Sequence, residues 1–488
     1  MTPLALFLVL YIAGSIAIGI YAAHRVRNST DFILAGRSLP IYVTIATVFA
    51  TWFGSEAVLG IPATFINEGL GGVVADPFGA GICLILVGLF FAAKLYRMKL
   101  MTIGDFYQRR YGRTVEIFVS IAICISYLGW VSAQIVALGL VIELVTGGFI
   151  GFEWGMVLGV AVVMAYTIFG GMFSVAVMDF IQMMMILLGL IVVAFLVSDK
   201  IDGGASAVIA KASAEGKFDF WPEFTLGGIL AFVGAFVTLA LGSIPQQDVF
   251  QRVMSAKDEK TAVRGTIIGG SFYILFCFIP IFITLAAITA DPSLTDHLAE
   301  GGDSQRILPQ YILNEVPLAI QILFFGALMS AIMSTASGTL LAPSAIIAEN
   351  ILKNPLKLND KGLLITLRIC VLLFGIFVLA YAYLSSTAGL TIFEMVENAY
   401  LVTLCGAFVP LAAGVYWDKA NNAGAVLSII LGVGSWGMCE AINIGLAANQ
   451  ESLLIVPPQL VGLTFAILGM IAGSITFAQS SRYNAASS

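Results

Sequence analysis

The sequence predicts an all-α integral membrane protein of thirteen transmembrane helices, and three observations carry that prediction. Of 488 residues, 59% are hydrophobic and only 11% charged, with a mean hydropathy of +0.99, far from the composition of a soluble globular chain. Apolar runs of about 20 residues recur from end to end, each long enough to cross about 30 Å of hydrocarbon. The basic residues alternate with those runs in a way that gives both their number and their direction.

Taken in order, the runs cover about 3–23, 40–67, 72–93, 114–146, 152–169, 173–197, 224–248, 263–289, 317–349, 362–383, 391–416, 422–444 and 454–478. The first, Leu4–Ala23, has no basic stretch ahead of it and no cleavage-like ending, so it is expected to stay as a membrane helix and not to act as a signal peptide. With the N-terminus outside, the inner loops hold Arg25, Arg27 and Arg37, then Lys94, Arg97, Lys99, Arg109, Arg110 and Arg113, then Arg252, Lys257, Lys260 and Arg264. Lys353, Lys357, Lys361, Arg368, Lys419 and Arg482 follow on the same side. Of the 23 Lys and Arg, only Lys200, Lys211, Lys217 and Arg306 fall outside, the bias expected of a multi-pass protein of the plasma (inner) membrane with a cytoplasmic C-terminus.

The two longest outer loops, about 198–223 and 290–316, carry turn formers and the acids Asp291, Asp296, Glu300 and Asp303, and suit short surface helices. The inner tail, Gln479–Ser488, is short, so no soluble domain is expected. No basic stripe points to nucleic acid. The cysteines (Cys83, Cys124, Cys277, Cys370, Cys405, Cys439) lie in apolar runs without CxxC spacing and read as small core residues. His24 and His297 lie in loops, which leaves no basis for a His-centred catalytic site, and the chain is not expected to be an enzyme.

Two runs are interrupted, at Gly60-Ile61-Pro62 and at Gly242-Ser243-Ile244-Pro245, five spans apart. Backbone leaves the helix inside a membrane only where protein or a watery cavity satisfies the freed N–H and C=O groups. With residues 1–39 set aside as a peripheral helix and loop, core helices 1–5 cover 40–197 and core helices 6–10 cover 224–416. The outer loop 198–223 joins them, and 417–488 adds two C-terminal helices and the tail. Five spans per half give inverted repeats, and breaks in the first helix of each half point to a midplane binding site of a secondary transporter. Gly and Pro are common in membrane helices, so the paired position carries this reading, not either break alone.

Core helix 8 places Ala331, Ser334 and Thr335 on one face at i, i+3 and i+4. A carbonyl and two hydroxyls there suit a hard cation such as Na⁺, with further oxygens from unwound backbone. The same hydroxyls also suit bonding back to their own helix or helix packing.

Three stretches, Ser330-Ala331-Ile332-Met333-Ser334-Thr335, Gly170-Gly171-Met172-Phe173-Ser174 with Asp179-Phe180-Ile181-Gln182, and Ala50-Thr51-Trp52-Phe53-Gly54, resemble motifs of the sodium:solute symporter family. That family includes proline, sialic acid, galactose, glucose and choline symporters, and the resemblance spans nearly the whole chain. It implies a leucine-transporter-like core of five plus five helices, with one extra N-terminal and two extra C-terminal helices. It also implies one sodium held by the carbonyls of Ala50 and Phe53 with Ala331, Ser334 and Thr335. A second sodium is implied at Asp179 with Ser334 and Ser337, although Gly338 stands where such relatives carry a further serine.

The substrate is expected near Trp52, Glu56, Asp76, Trp130, Gln246 and Gln247, with Glu397 more peripheral. Trp52 and Trp130 match positions of an aromatic cage in the choline-type branch, and Phe250-Gln251-Arg252-Val253-Met254-Ser255 resembles that branch too. Gln246 and Ala80 replace two further cage aromatics, which leaves a more hydrogen-bonding pocket. Such a cage holds an ammonium by cation–π attraction of about 2 kcal/mol or more when desolvated. The expected function is sodium-coupled uptake of a small organic cation or amine-bearing zwitterion. Symport of proline, a sugar or a carboxylate is the alternative, and a solute sensor with a separate signalling partner is an alternative of another class. The partners implied are a small-molecule solute, Na⁺ and the lipid bilayer, with the oligomeric state left open.

Overall fold

The computed structural model of the chain describes residues 2–295, 304–448 and 454–477. His297, Asp296, Glu300, Asp303, Arg482 and the tail 479–488 lie outside the described residues. The described chain is helical, and its pairing outside helices is one parallel bridge, Leu39 with Ala256. The principal helices are α1 (Pro3–Ala23), α2 (Ile41–Trp52), α3 (Glu56–Gly72), α4 (Val74–Arg97), α5 (Arg113–Val145), α6 (Phe152–Ser198) and α7 (Leu226–Gly242). They continue with α8 (Gln247–Met254), α9 (Glu259–Ala290), α10 (Leu318–Leu352), α11 (Asp360–Thr387), α12 (Ile392–Tyr416), α13 (Asn422–Ala447) and α14 (Pro458–Thr476).

Ten of these are long and apolar enough to cross a membrane singly, and the bent pairs α2–α3 and α7–α8 raise the number to twelve among the described residues. The sequence led to thirteen. The difference lies in α6, where the runs 152–169 and 173–197 are two helices that meet directly at a non-helical Gly171, with φ +49° and ψ −141°, and are counted there as a single span. Short helices Gly204–Ala214 and Ile307–Glu315 occupy the two long loops.

Helix starts follow local chemistry. Asp258 and Asn359 each accept the N–H of the residue three further on, at 2.7 and 2.8 Å, and so satisfy a donor that the first turn leaves unpaired. Helices α5 and α10 are the most buried of the long spans, whereas α1 and α13 are among the least. Helix α6 packs on α1, α5 and α10, and α2 packs on α9. The centre of the bundle is thus built from α2, α5, α6 and α10, with α13 and α14 paired at the edge.

One face gathers most of the basic residues. Arg37 donates to the carbonyls of Leu100 and Met254 at 2.6 and 3.3 Å, and Arg97 pairs with Glu259 at 2.7 Å. Arg113 donates to the carbonyl of Asn350 at 2.5 Å, while the Asn350 amide reaches Asp105 and Glu116. Helix α2 therefore starts, and α8 ends, on this basic face. The two broken helices consequently run in opposite directions across the bundle.

Candidate functional site

The first break forms at Phe53 and Gly54. Phe53 takes φ −81° and ψ +72°, and the axis turns by 59° between α2 and α3. The motif around Ala50–Gly54 leads to unwinding over Ala50–Glu56, ahead of Gly60-Ile61-Pro62 where the helix is expected to resume and bend, and the break falls within that stretch. The structure keeps Ala50, Thr51 and Trp52 helical and runs continuously helical through Gly60, Ile61 and Pro62. A π-helical turn over Glu56–Gly60 accommodates the missing N–H of Pro62.

Three of the backbone groups freed at this break have identified partners. The Thr335 hydroxyl of α10 donates to the Ala50 carbonyl at 3.1 Å. The Ser55 N–H donates to Gln134 Oε1 at 2.9 Å, and the Gly54 N–H to the Trp52 carbonyl at 2.9 Å. Gly54 has to be glycine, because a Cβ there would meet Gln134 Oε1 at 2.7 Å and both Glu56 Oε2 and Thr335 Oγ1 at 2.8 Å. Three side-chain oxygens thus converge on the bare edge of the break.

The second break covers Ser243, Ile244, Pro245 and Gln246, with a turn of 46° between α7 and α8. Again a threonine hydroxyl takes a freed carbonyl, Thr403 of α12 donating to Gly242 at 2.7 Å. Helix α5 links the two breaks. Ser126, Trp130 and Gln134 lie on one of its faces at i, i+4 and i+8. Ser126 accepts from Gln246 Nε2 at 2.9 Å, Trp130 Nε1 donates to Glu56 Oε1 at 3.4 Å, and Gln134 Nε2 donates to Glu56 Oε2 at 2.7 Å.

Between the breaks is an aromatic cluster. Trp52 and Trp130 stack with centroids 4.8 Å apart, and Tyr400 of α12 meets both edge-on at 5.4 and 5.5 Å. Tyr127 stacks on the far side of Trp130 at 5.9 Å. Trp52 Nε1 and the Tyr400 hydroxyl are buried and have no hydrogen-bond partner among the described residues. Glu56 is fully buried, and among the described residues no Lys or Arg pairs with it.

The remaining sequence-derived residues fall into separate places. Asp76 accepts from the Tyr273 hydroxyl at 2.5 Å. Together with Leu239, Phe393, Val396 and Glu397 it surrounds a constriction below an open vestibule. That vestibule, about 610 Å³, lies on the face opposite the basic one. Among the described residues its walls hold three carboxylates, Glu68, Glu394 and Glu397, and no Lys, Arg or His. Gln247 points elsewhere, its Oε1 accepting from the Ile103 N–H at 2.8 Å.

Of the residues expected around sodium, Ala50 and Thr335 are in direct contact, and Phe53 begins the break beside them. Ala331 is buried one turn before Thr335 on α10. Ser334 turns away, donating to Asp179 Oδ1 at 2.6 Å, and Ser337 donates to the Ser334 carbonyl at 3.0 Å. The donors near Ala50 are carbonyl, hydroxyl, amide and carboxylate oxygens, the set that a hard cation selects. Gln134, Ser126, Tyr127, Tyr400 and Thr403 were not singled out from sequence. The i, i+4, i+8 polar stripe on α5 is the signal that reveals the first of them.

The chain is 27% identical over 445 residues to high-affinity choline transporter 1 of Caenorhabditis elegans, covering 86% of this chain and 74% of that one. It is 25% identical over 463 residues to the sodium/pantothenate symporter of Haemophilus influenzae, covering 90% of each. It superposes on a Na⁺-coupled sialic acid symporter in a substrate-bound, outward-open state with a TM-score of 0.81 and 20% identity over 98% of both chains, a likeness of fold. The sodium:solute symporter family matches residues 32–432, a stretch that contains both broken helices and the hydroxyl face of α10, and the chain belongs to that family.

Proposed function

We propose that this symporter carries a small organic cation or amine-bearing zwitterion. The observation that supports this most directly is Glu56, a buried carboxyl group with no cationic partner among the described residues, bonded to Trp130 beside the Trp52 stack. A buried charge is stable only when paired, and a substrate ammonium is a partner of the right sign. The acid-walled vestibule favours the same sign by raising the local concentration of cations. The pantothenate relative supports the carboxylate alternative, but an anion would have to pass Glu68, Glu394 and Glu397 and settle beside Glu56. An ammonium between two ring faces needs more than 4.8 Å, so substrate entry parts Trp52 from Trp130.

Sodium takes the oxygens at the first break: the carbonyls of Ala50, Phe53 and Ala331 with the hydroxyls of Thr335 and Ser334, the last turning from Asp179 to reach the ion. Substrate contacts are Trp52, Glu56, Trp130 and Gln246, with Asp76 at the constriction above them and Gln247 anchoring α8. Sodium joining α2 to α10 stabilises the arrangement that admits substrate, and substrate tightens sodium by the same factor. The sodium gradient then drives accumulation, and membrane voltage adds about 2.3 kcal/mol per charge per 100 mV.

The basic face is cytoplasmic and the vestibule external, with the N-terminus outside. The two helices of α6, on either side of Gly171, each cross once, which makes thirteen crossings. The halves 40–197 and 224–416 are the inverted repeats, with 1–39, 198–223 and 417–488 outside them. Uptake of radiolabelled choline, used as a probe in proteoliposomes, tests the sodium assignment. Thr335→Ala and Ser334→Ala are expected to raise the half-saturating Na⁺ concentration about tenfold or more, a loss of about 1.4 kcal/mol or more. Unchanged sodium dependence in both would contradict it.

A further inference from the structure

Asp179 lies in α6 with no exposure, its Oδ1 bonded to Ser334 at 2.6 Å and Ser337 next along the same face of α10. An oxygen cluster of this kind needs a positive charge beside it. The charge present is Arg252 of α8, itself 1% exposed. Its Nε stands 3.6 Å from Asp179 Oδ2 and its Nη1 3.5 Å from Asp248 Oδ2. The guanidinium lies against Gly338, the residue after Ser337. A Cβ on Gly338 would meet Nη2 at 2.1 Å, with Cζ and Nη1 both at 2.7 Å. Any side chain at 338 would therefore displace the guanidinium.

Asp248 does not draw Arg252 away from Asp179. It occupies the first turn of α8, where the N-terminal end of the helix favours a carboxylate, and the Tyr127 hydroxyl donates to it at 2.5 Å. Asp179 has a hydroxyl but no other cationic neighbour among the described residues. A guanidinium is more weakly hydrated than an ammonium, which suits it to a dry position.

We infer that Arg252 supplies from within the chain the positive charge that a second Na⁺ would bring to Asp179, Ser334 and Ser337. The protein then binds one sodium per cycle, at the first break alone. This inference rests on the sodium-coupled reading above and adds its stoichiometry. It also gives Gly338 a role, as the vacancy into which a resident cation fits. Because Arg252 belongs to α8, it ties the segment beyond the second break to α6 and α10 in this state.

Equilibrium binding of radiolabelled sodium to the purified full-length protein, without substrate, tests it. The wild type is expected to bind about one Na⁺ per chain, with a Hill coefficient of about one. Arg252→Gln, which frees the Asp179 oxygens, is expected to double the bound sodium, and Gly338→Ser in that background to tighten the added site. If Arg252→Gln does not fold, the wild-type count decides alone. Two sodium ions on the wild type would overturn the inference, as would a folded Arg252→Gln that still binds one. No bound sodium would instead contradict the coupled reading on which it rests.

Discussion

Glu56 and Thr335 divide the work at a spacing of a few ångströms, the carboxylate facing the indoles and the hydroxyl facing the Ala50 carbonyl. Glu56→Gln keeps the shape of the side chain and removes its charge. Loss of a buried charge partner costs about 2 kcal/mol or more, so an amine substrate is expected to bind about 30-fold or more weakly in a radioligand assay. Undiminished binding would show that the ammonium is held elsewhere. Trp52, Trp130 and Glu56 were legible in sequence because large aromatics and carboxylates are conspicuous in an apolar chain. Gln134 was not singled out, because its signal is the i, i+4, i+8 spacing with Ser126 and Trp130 on α5 and not its own residue type. Gln247 shows the opposite difficulty. A break resets helical phase, so the direction in which the first residue of α8 points cannot be counted from α7.

At the level of elements, both breaks obey one rule: the freed carbonyl is taken by a threonine hydroxyl from another helix, Thr335 for Ala50 and Thr403 for Gly242. Thr403→Val preserves shape and leaves a buried carbonyl unpaired, at a cost of about 1–3 kcal/mol. A lower apparent melting temperature than wild type is the expected outcome in a thermal-shift measurement. Gly54→Ala inserts a methyl among three oxygens at 2.7–2.8 Å. It is expected to destabilise by about 1–3 kcal/mol and to weaken sodium-dependent binding together with substrate binding. The existence of two broken helices was readable from Gly and Pro, and the first break falls within the stretch Ala50–Glu56 expected to unwind, ahead of the Gly-Pro signal itself. Pro62 is absorbed by the π-helical turn Glu56–Gly60, and the chain departs from the helix at Phe53, where no proline marks it.

The whole molecule is closed over its centre, since Trp52, Glu56 and Gln246 are fully buried while the vestibule stops above Asp76. The basic face is locked by Arg37, Arg113 and Asn350, which leaves opening toward the vestibule as the shorter route to the site. The proposed orientation rests on the distribution of charge. A cysteine at exposed Asp202 is expected to react with an impermeant maleimide in intact cells, and one at exposed Asn354 only after permeabilisation. The reverse pattern would invert the topology. The spans were legible from hydropathy, and even without a polar loop the Gly170-Gly171 pair marked the joint inside α6, where the backbone leaves the helix at Gly171. The choice of substrate is the central claim. It is tested most directly by the apparent melting temperature of the purified protein with choline, betaine, proline, pantothenate or glucose, each in Na⁺ and in K⁺. The expected result is stabilisation by amine-bearing ligands in Na⁺ alone; sodium-dependent stabilisation by pantothenate or glucose and not by the amines would contradict it.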